Sequence, residues 1–110
     1  MTLNKILTDF VDSHGYSLST NGYMKLPSGL IIQWGSGTTG AGGTLAVTFP
    51  IAFTSAVYQV LVSDRATGAG GASQDIASAD DPTLTGFTAY TCTDAGVGRG
   101  SNFRWFAIGS

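Results

Sequence analysis

From Gly22 onward the chain is written in short runs of apolar and polar residues, each cut off by glycine or proline. Runs that alternate with period two are strands, because successive side chains of a strand point to opposite faces. Leu30 to Trp34 is a compact apolar run between Pro27-Ser28-Gly29 and Gly35, which predicts a buried strand. Thr44 to Phe49 alternates and stops at Pro50. Ala56 to Ser63 sets Tyr58, Val60 and Val62 on one face against Val57, Gln59 and Leu61 on the other. Thr83 to Thr93 carries β-branched and aromatic residues around Gly86, a signal for a bulge or a close backbone approach. Phe103 to Ile108 opposes Phe103, Trp105 and Ala107 to Arg104, Phe106 and Ile108. With both faces apolar, that last strand is expected at the centre of its sheet. Joined by glycine-rich loops, these strands predict an all-β chain, an antiparallel β-sandwich.

One segment follows a different period. Leu3, Ile6, Leu7, Phe10 and Val11 form a single apolar stripe at 3.6-residue spacing, so a short N-terminal helix is expected from about Leu3 to Asp12. Thr2 can cap its start, and His14-Gly15 its end. So short a helix is marginal alone, and its stripe must dock on its own domain or on copies of itself. Leu3, Ile6 or Leu7, and Phe10 sit at near-heptad spacing, which suits three helices about one axis. Composition points the same way. Charged residues are 11% of the chain, against about 25% in an average protein. There are 25 Ser and Thr, 16 Gly and no Glu. A surface this short of charge suits a small oligomer that buries flat apolar faces. The expectation is a homotrimer, with residues 1–21 as a helical stem segment and residues 22–110 as the sandwich. Five Lys and Arg against seven Asp give a net charge of −2, so no basic face awaits nucleic acid. No apolar run reaches the ~20 residues of a membrane span, and no membrane insertion is expected.

Most familiar chemistry fails on inspection. Gly35-Ser36-Gly37-Thr38-Thr39-Gly40 spells the dinucleotide fingerprint. That motif needs a helix to open at its end, and here a strand ending in proline follows. His14 is the only histidine; alone it builds neither a metal pair within one chain nor a catalytic triad, although three copies could meet on a trimer axis. Cys92 is expected as a small buried apolar residue. The aspartates show no spaced calcium loop. A polysaccharide-cleaving site needs two carboxylates held ~5–9.5 Å apart, and these sit on glycine loops that hold them loosely. No cofactor, no metal and no enzymatic activity are expected.

Longer motifs add a resemblance. Gly22-Tyr23-Met24-Lys25-Leu26-Pro27-Ser28-Gly29-Leu30-Ile31-Ile32-Gln33-Trp34-Gly35 closely resembles the opening of a C-terminal domain of tail fibres from contractile-tailed phages, prophages and related bacteriocins. Val47-Thr48-Phe49-Pro50-Ile51-Ala52-Phe53, Thr85-Gly86-Phe87 and Trp105-Phe106-Ala107-Ile108-Gly109 resemble its V-x-F-P-x-x-F, T-x-F and W-x-A-I-G segments, in order. The resemblance spans Gly22 to Ser110. Met1 then marks either the edge of a longer fibre polypeptide or the start of a short fibre-tip gene. The resemblance implies a homotrimeric, receptor-binding tip at the distal end of a virion tail fibre, assembled in the bacterial cytoplasm. Its partner would be a bacterial surface glycan or outer-membrane protein. The alternatives are a surface-polysaccharide depolymerase and a purely structural trimerisation cap. Phe49, Phe53, Phe87, Trp105 and Ile108 are expected to supply most of the core.

The three glycine loops, Gly35 to Gly43, Asp64 to Ser73 and Asp94 to Asn102, are then the candidates for specificity, since binding residues commonly sit on loops over a rigid scaffold. Near them stand Asp64 and Arg65, Arg99 and Asn102, and Asp80 and Asp81 leading to the strand of Tyr90. Some of these seven are expected on a shared rim, with Arg99 foremost for its exposed guanidinium between glycines. The competing expectation pairs Arg65 and Arg99 with Asp64 or Asp94. Alternation favours inward positions for Tyr90 and Trp34.

Overall fold

The computed structural model describes residues 2–5, 15–66 and 75–110. Among them lie eight strands: β1 (Tyr16–Ser17), β2 (Gly22–Lys25), β3 (Ile31–Thr38), β4 (Thr44–Thr48), β5 (Val57–Asp64), β6 (Ile76–Ala79), β7 (Gly86–Cys92) and β8 (Asn102–Gly109). All pair antiparallel, in a five-stranded sheet ordered β1-β2-β3-β8-β5 and a three-stranded sheet ordered β4-β7-β6. The last strand is central, as expected, between β3 and β5. At the N-terminus, residues 3–5 are helical, and the Lys5 amide donates to the Thr2 hydroxyl at 3.3 Å. The rest of the expected helix lies outside the described residues.

Aromatic rings fill the space between the sheets. Phe49, Phe53, Phe87, Phe103 and Trp105 are all buried, each worth about 1.5–3 kcal/mol on burial. Phe49 and Phe53 meet edge to face at 4.9 Å between centroids, and Trp105 lies 5.6 Å from Phe87 and 5.7 Å from Phe49. Rings this large need space on the facing strand. Gly35 and Gly37 of β3 supply it: a Cβ there would sit 2.6 Å from the Trp105 indole nitrogen and 2.7 Å from Phe103 Cζ. The nucleotide-like glycine motif is thus a packing device, and β3 continues through it to Thr38 instead of ending at Trp34.

One polar side chain joins this core. Gln33 is fully buried; its Nε2 donates to the Ile51 carbonyl at 2.9 Å and its Oε1 accepts from the Ile51 amide at 3.0 Å. The side-chain amide stands in for a strand and pins the Phe49–Phe53 segment to the larger sheet.

Three expectations are corrected. The alternation of β5 breaks where Val57 pairs with Gly109 but Gln59 with Ile108. This bulge turns Tyr58 out to 60% exposure, while Val57 joins Val60 and Val62 against the core. Ile108 is half-buried on the outer face, and Phe103 takes the core place expected of it. Cys92 is half-buried and faces away from the core, paired across from Ile76, because Phe87, Ala89 and Thr91 occupy the inward positions of β7.

The close approach expected at Gly86 is to β4: a Cβ there would lie 2.1 Å from the Val47 carbonyl oxygen. Gly86→Ala should therefore cost about 1–3 kcal/mol by forcing two paired strands apart. Urea denaturation should show a lower midpoint at unchanged slope; an unchanged midpoint would contradict the packing.

Candidate functional site: the loop rim and the outer sheet faces

The ends of β3, β5 and β7 and the starts of β4, β6 and β8 lie at one end of the sandwich, so the described parts of the glycine loops, residues 35–43, 64–66 and 94–102, meet there. They are bonded to one another. The Thr91 amide donates to the Gly43 carbonyl at 2.8 Å, the Arg99 amide to the Thr91 carbonyl at 3.2 Å, and the Thr39 amide to the Ser101 carbonyl at 3.0 Å. Gly43 takes φ of 81°, and a Cβ on it would lie 2.2 Å from the Thr91 carbonyl oxygen. Glycine at this position is a requirement of the contact as well as of the backbone angle.

Under the loops runs a buried chain of hydroxyls. The Ser101 amide donates to Thr39 Oγ1 at 2.9 Å, the Thr39 and Thr91 hydroxyls meet at 2.5 Å, and Thr91 Oγ1 donates to the Arg99 carbonyl at 2.7 Å. Beside it, Asp64 accepts from the Ser101 hydroxyl at 2.7 Å and from the Asp75 amide at 3.2 Å. The Asp75 carboxylate, only 3% exposed, pairs with the Arg99 guanidinium, which is 34% exposed. Arg99 is therefore not the freely presented fork that the flanking glycines suggest. Its partner is Asp75, neither of the aspartates expected. Asn102 faces outward and accepts from the Thr38 hydroxyl at 2.6 Å.

Of the seven sequence candidates, Asp64, Arg65, Arg99 and Asn102 gather at the rim, and Tyr90 stands one step below it on β7. Asp80 and Asp81 lie at the opposite end, after β6. Asp80 caps the sheet there, accepting from the Thr88 amide at 2.8 Å. Asp81 lines a groove of about 320 Å³ with Tyr58, Gln59 and Pro82. Tyr90 is 39% exposed and points away from the core, between Thr44 and Ser78 on the neighbouring strands. Trp34 also faces outward, because Ile31, Gln33 and Gly35 hold the inward positions of β3.

The outer face of the five-stranded sheet has two halves. Away from the rim it is mainly apolar: Met24, Ile32, Ile108, Phe106 and Leu61, with Gln59 at the β5 edge; Phe106 is 41% and Leu61 58% exposed. Toward the rim it is polar and basic: Trp34, Ser36, Arg65 and Arg104, with Thr20, line a groove of about 360 Å³. Reading the sequence missed Thr91, Asp75, Ser101 and Arg104. For Thr91 a signal existed, a hydroxyl at an inward position of an alternating strand. Asp75 carries no such mark.

The family model for the C-terminal region of gp53-like tail fiber proteins matches residues 25–110. An N-truncated R2-type pyocin tail fiber shares the fold, with a TM-score of 0.73 at 24% identity over 87% of this chain and 37% of the fibre chain. The C-terminal part of the R1 pyocin fibre of P. aeruginosa gives 0.70 at 30% identity, over 87% of this chain and 28% of that one. An N-truncated R1-type pyocin tail fiber gives 0.69 at 27% identity, over 100% of this chain and 98% of that one. The chain thus spans little more than a third of the first of these fibres. No curated protein matches the sequence.

Two substitutions test how the rim is held. Arg99→Ala strands a buried carboxylate and should cost about 1–3 kcal/mol, less than a fully buried pair because Arg99 keeps partial exposure. Thr91→Val breaks the hydroxyl chain and should cost about 1–3 kcal/mol. Thermal melts should show both; a variant that melts like the parent would contradict the network.

Proposed function

Because this chain belongs to the family of gp53-like tail fibre C-terminal domains, it is a tail fibre domain, and we propose that it forms the distal tip that attaches the particle to a bacterium. The ligand in this reading is a bacterial surface glycan or an outer-membrane protein. One observation carries it above all: two glycine loops, residues 35–43 and 94–102, meet at one end of the sandwich, tied beneath by buried hydrogen bonds and exposed at their tips. Ala41, Gly42 and residues 94–97 are exposed there, so side chains can change without touching the core. Recognition by loops on a fixed scaffold has this form.

The same geometry favours binding over cleavage. Asp64, Asp75 and Asp80 each serve the fold, bonded to Ser101, Arg99 and the Thr88 amide. A depolymerase would need two carboxylates facing each other across a cleft. In this reading the tip is a homotrimer, and the apolar half of the outer sheet face joins the copies. Exposed Leu61 and Phe106 on a chain with 11% charged residues call for such a cover. His14, on which a metal at the axis would depend, lies outside the described residues.

Light scattering should give three times the 11.3 kDa chain mass, and the trimer should adsorb to cells of a susceptible strain without releasing reducing ends from their polysaccharide. A monomer at micromolar concentration would refute the assembly. Reducing-end release would establish the depolymerase, and a trimer that adsorbs to no strain would establish the structural cap.

A further inference from the structure

The groove on the rim side of the outer sheet face holds two arginines that no contact of the fold among the described residues explains. Arg65 and Arg104, two of the five cations of an otherwise acidic chain, line it together with the Trp34 indole, Ser36 and Thr20. Asp75 holds Arg99. The side chains of Arg65 and Arg104 have no hydrogen bond or ion pair among the described residues. Both are exposed, and both project from the strand ends nearest the rim. Arg104 stands opposite Ser36 and Ser63, neutral hydroxyls that offer no counter-charge.

The aromatic wall is fixed in place. Trp34 Nε1 donates to the Ser19 carbonyl at 3.0 Å. Its ring lies over Gly22 on the neighbouring strand, where a Cβ would come within 2.7 Å of it. A ring pinned at its edge and backed by a glycine is a preorganised surface, and binding to it loses little rotamer freedom. At about 360 Å³ the groove falls within the range of small-molecule sites.

We propose that this groove binds an anionic pyranose, a sugar ring that bears a carboxylate or a phosphate. The C–H face of the ring stacks on Trp34. The charged group sits between the Arg65 and Arg104 guanidiniums, whose planar forks match carboxylate and phosphate oxygens. Ser36 and Thr20 are placed to exchange hydrogen bonds with ring hydroxyls. A neutral sugar would leave the two guanidiniums unmatched, and a bare anion would leave the indole uncovered, so the site selects for both features in one molecule. This inference rests on the receptor-binding reading only for where the sugar comes from, namely an acidic residue of a surface glycan. The chemistry of the groove stands on its own residues.

The test is a titration of the full chain, followed through the amide signals of Gly35 and Ser36 and the indole signal of Trp34. The probes are glucuronate, glucose 1-phosphate, glucose and inorganic phosphate. The expected result is saturable, millimolar binding of glucuronate or glucose 1-phosphate, whichever is tighter identifying the natural anion. That binding weakens as salt rises, and glucose and inorganic phosphate bind at least tenfold less tightly. Arg104→Gln and Arg65→Gln should each weaken the preferred sugar about tenfold or more, the loss expected of a hydrogen bond to a charged group. Trp34→Phe should weaken it less. Two arginine variants guard against one that folds poorly, and each must keep the parent melting temperature. No saturable shift with either acidic sugar would overturn the proposal. So would phosphate or glucose binding as well as glucuronate, or Arg104→Gln and Arg65→Gln both binding like the parent. Cell adsorption separates the two readings. A protein that adsorbs to cells, with no competition from acidic sugar and no effect of Arg104→Gln, keeps its receptor role and loses this site. A protein that binds acidic sugar but adsorbs to no strain keeps the site and loses the role.

Discussion

Aromatic rings wedged between two sheets set the terms for everything else in this domain. Phe103 and Trp105 on the central strand, with Phe49, Phe53 and Phe87 opposite, form the bulk of the core between the sheets. Interiors are close-packed, so rings of that size dictate what faces them. Positions 35 and 37 must be glycine, and Gln33 must use its amide on the Ile51 backbone because no strand is there to do so. Phe103 and Trp105, with Ala107 and Gly109, take the inward positions of β8. Arg104, Phe106 and Ile108 are therefore sent to the outer face, where they make one half apolar and help make the other basic.

With the core closed in this way, polar residues have two places left, and each has its own role. Beneath the loops, Thr39, Thr91, Ser101, Asp64, Asp75 and Arg99 satisfy one another and the loop backbones. Such a network is costly to break, since a buried polar group left unpaired loses its solvation without return. Above it, the tips near Ala41 and Val97 carry no such duties. This division lets the exposed side chains change without loss of the fold, as the proposed attachment role requires. The outer sheet faces add flat ground beside the tips, with Tyr90 on the smaller sheet and Trp34 on the larger.

Much of this was legible in the sequence, for physical reasons. Period-two alternation and glycine punctuation located the long strands, because burial on one face leaves that mark. The centrality of the last strand followed from its apolar content, and the shared rim of Asp64, Arg65, Arg99 and Asn102 from the way strand ends cluster in a sandwich. What escaped was whatever depends on partners distant in sequence. The bulge at Tyr58 shifts a register that local alternation cannot reveal. Gly35 and Gly37 read as loop residues until Trp105 and Phe103 are placed against them. Arg99 read as exposed because Asp75, its partner, is remote in the chain and carries no motif. Trp34 and Tyr90 both turned outward, since aromatic character alone does not say which face of a strand is buried.

In the proposed attachment role the exposed loop tips recognise the receptor, while the network beneath them only holds the fold. Adsorption of a tip variant measures that directly. Ala41→Gln, Ala95→Gln and Val97→Arg together alter three exposed side chains and leave Gly43, Gly98, Thr39, Thr91 and Arg99 untouched. The expected result is a melting temperature within about 2 °C of the parent, since surface changes usually stay within about 0.5 kcal/mol, together with at least a tenfold loss of adsorption to a susceptible strain. Unchanged adsorption by a variant with unchanged stability would contradict it.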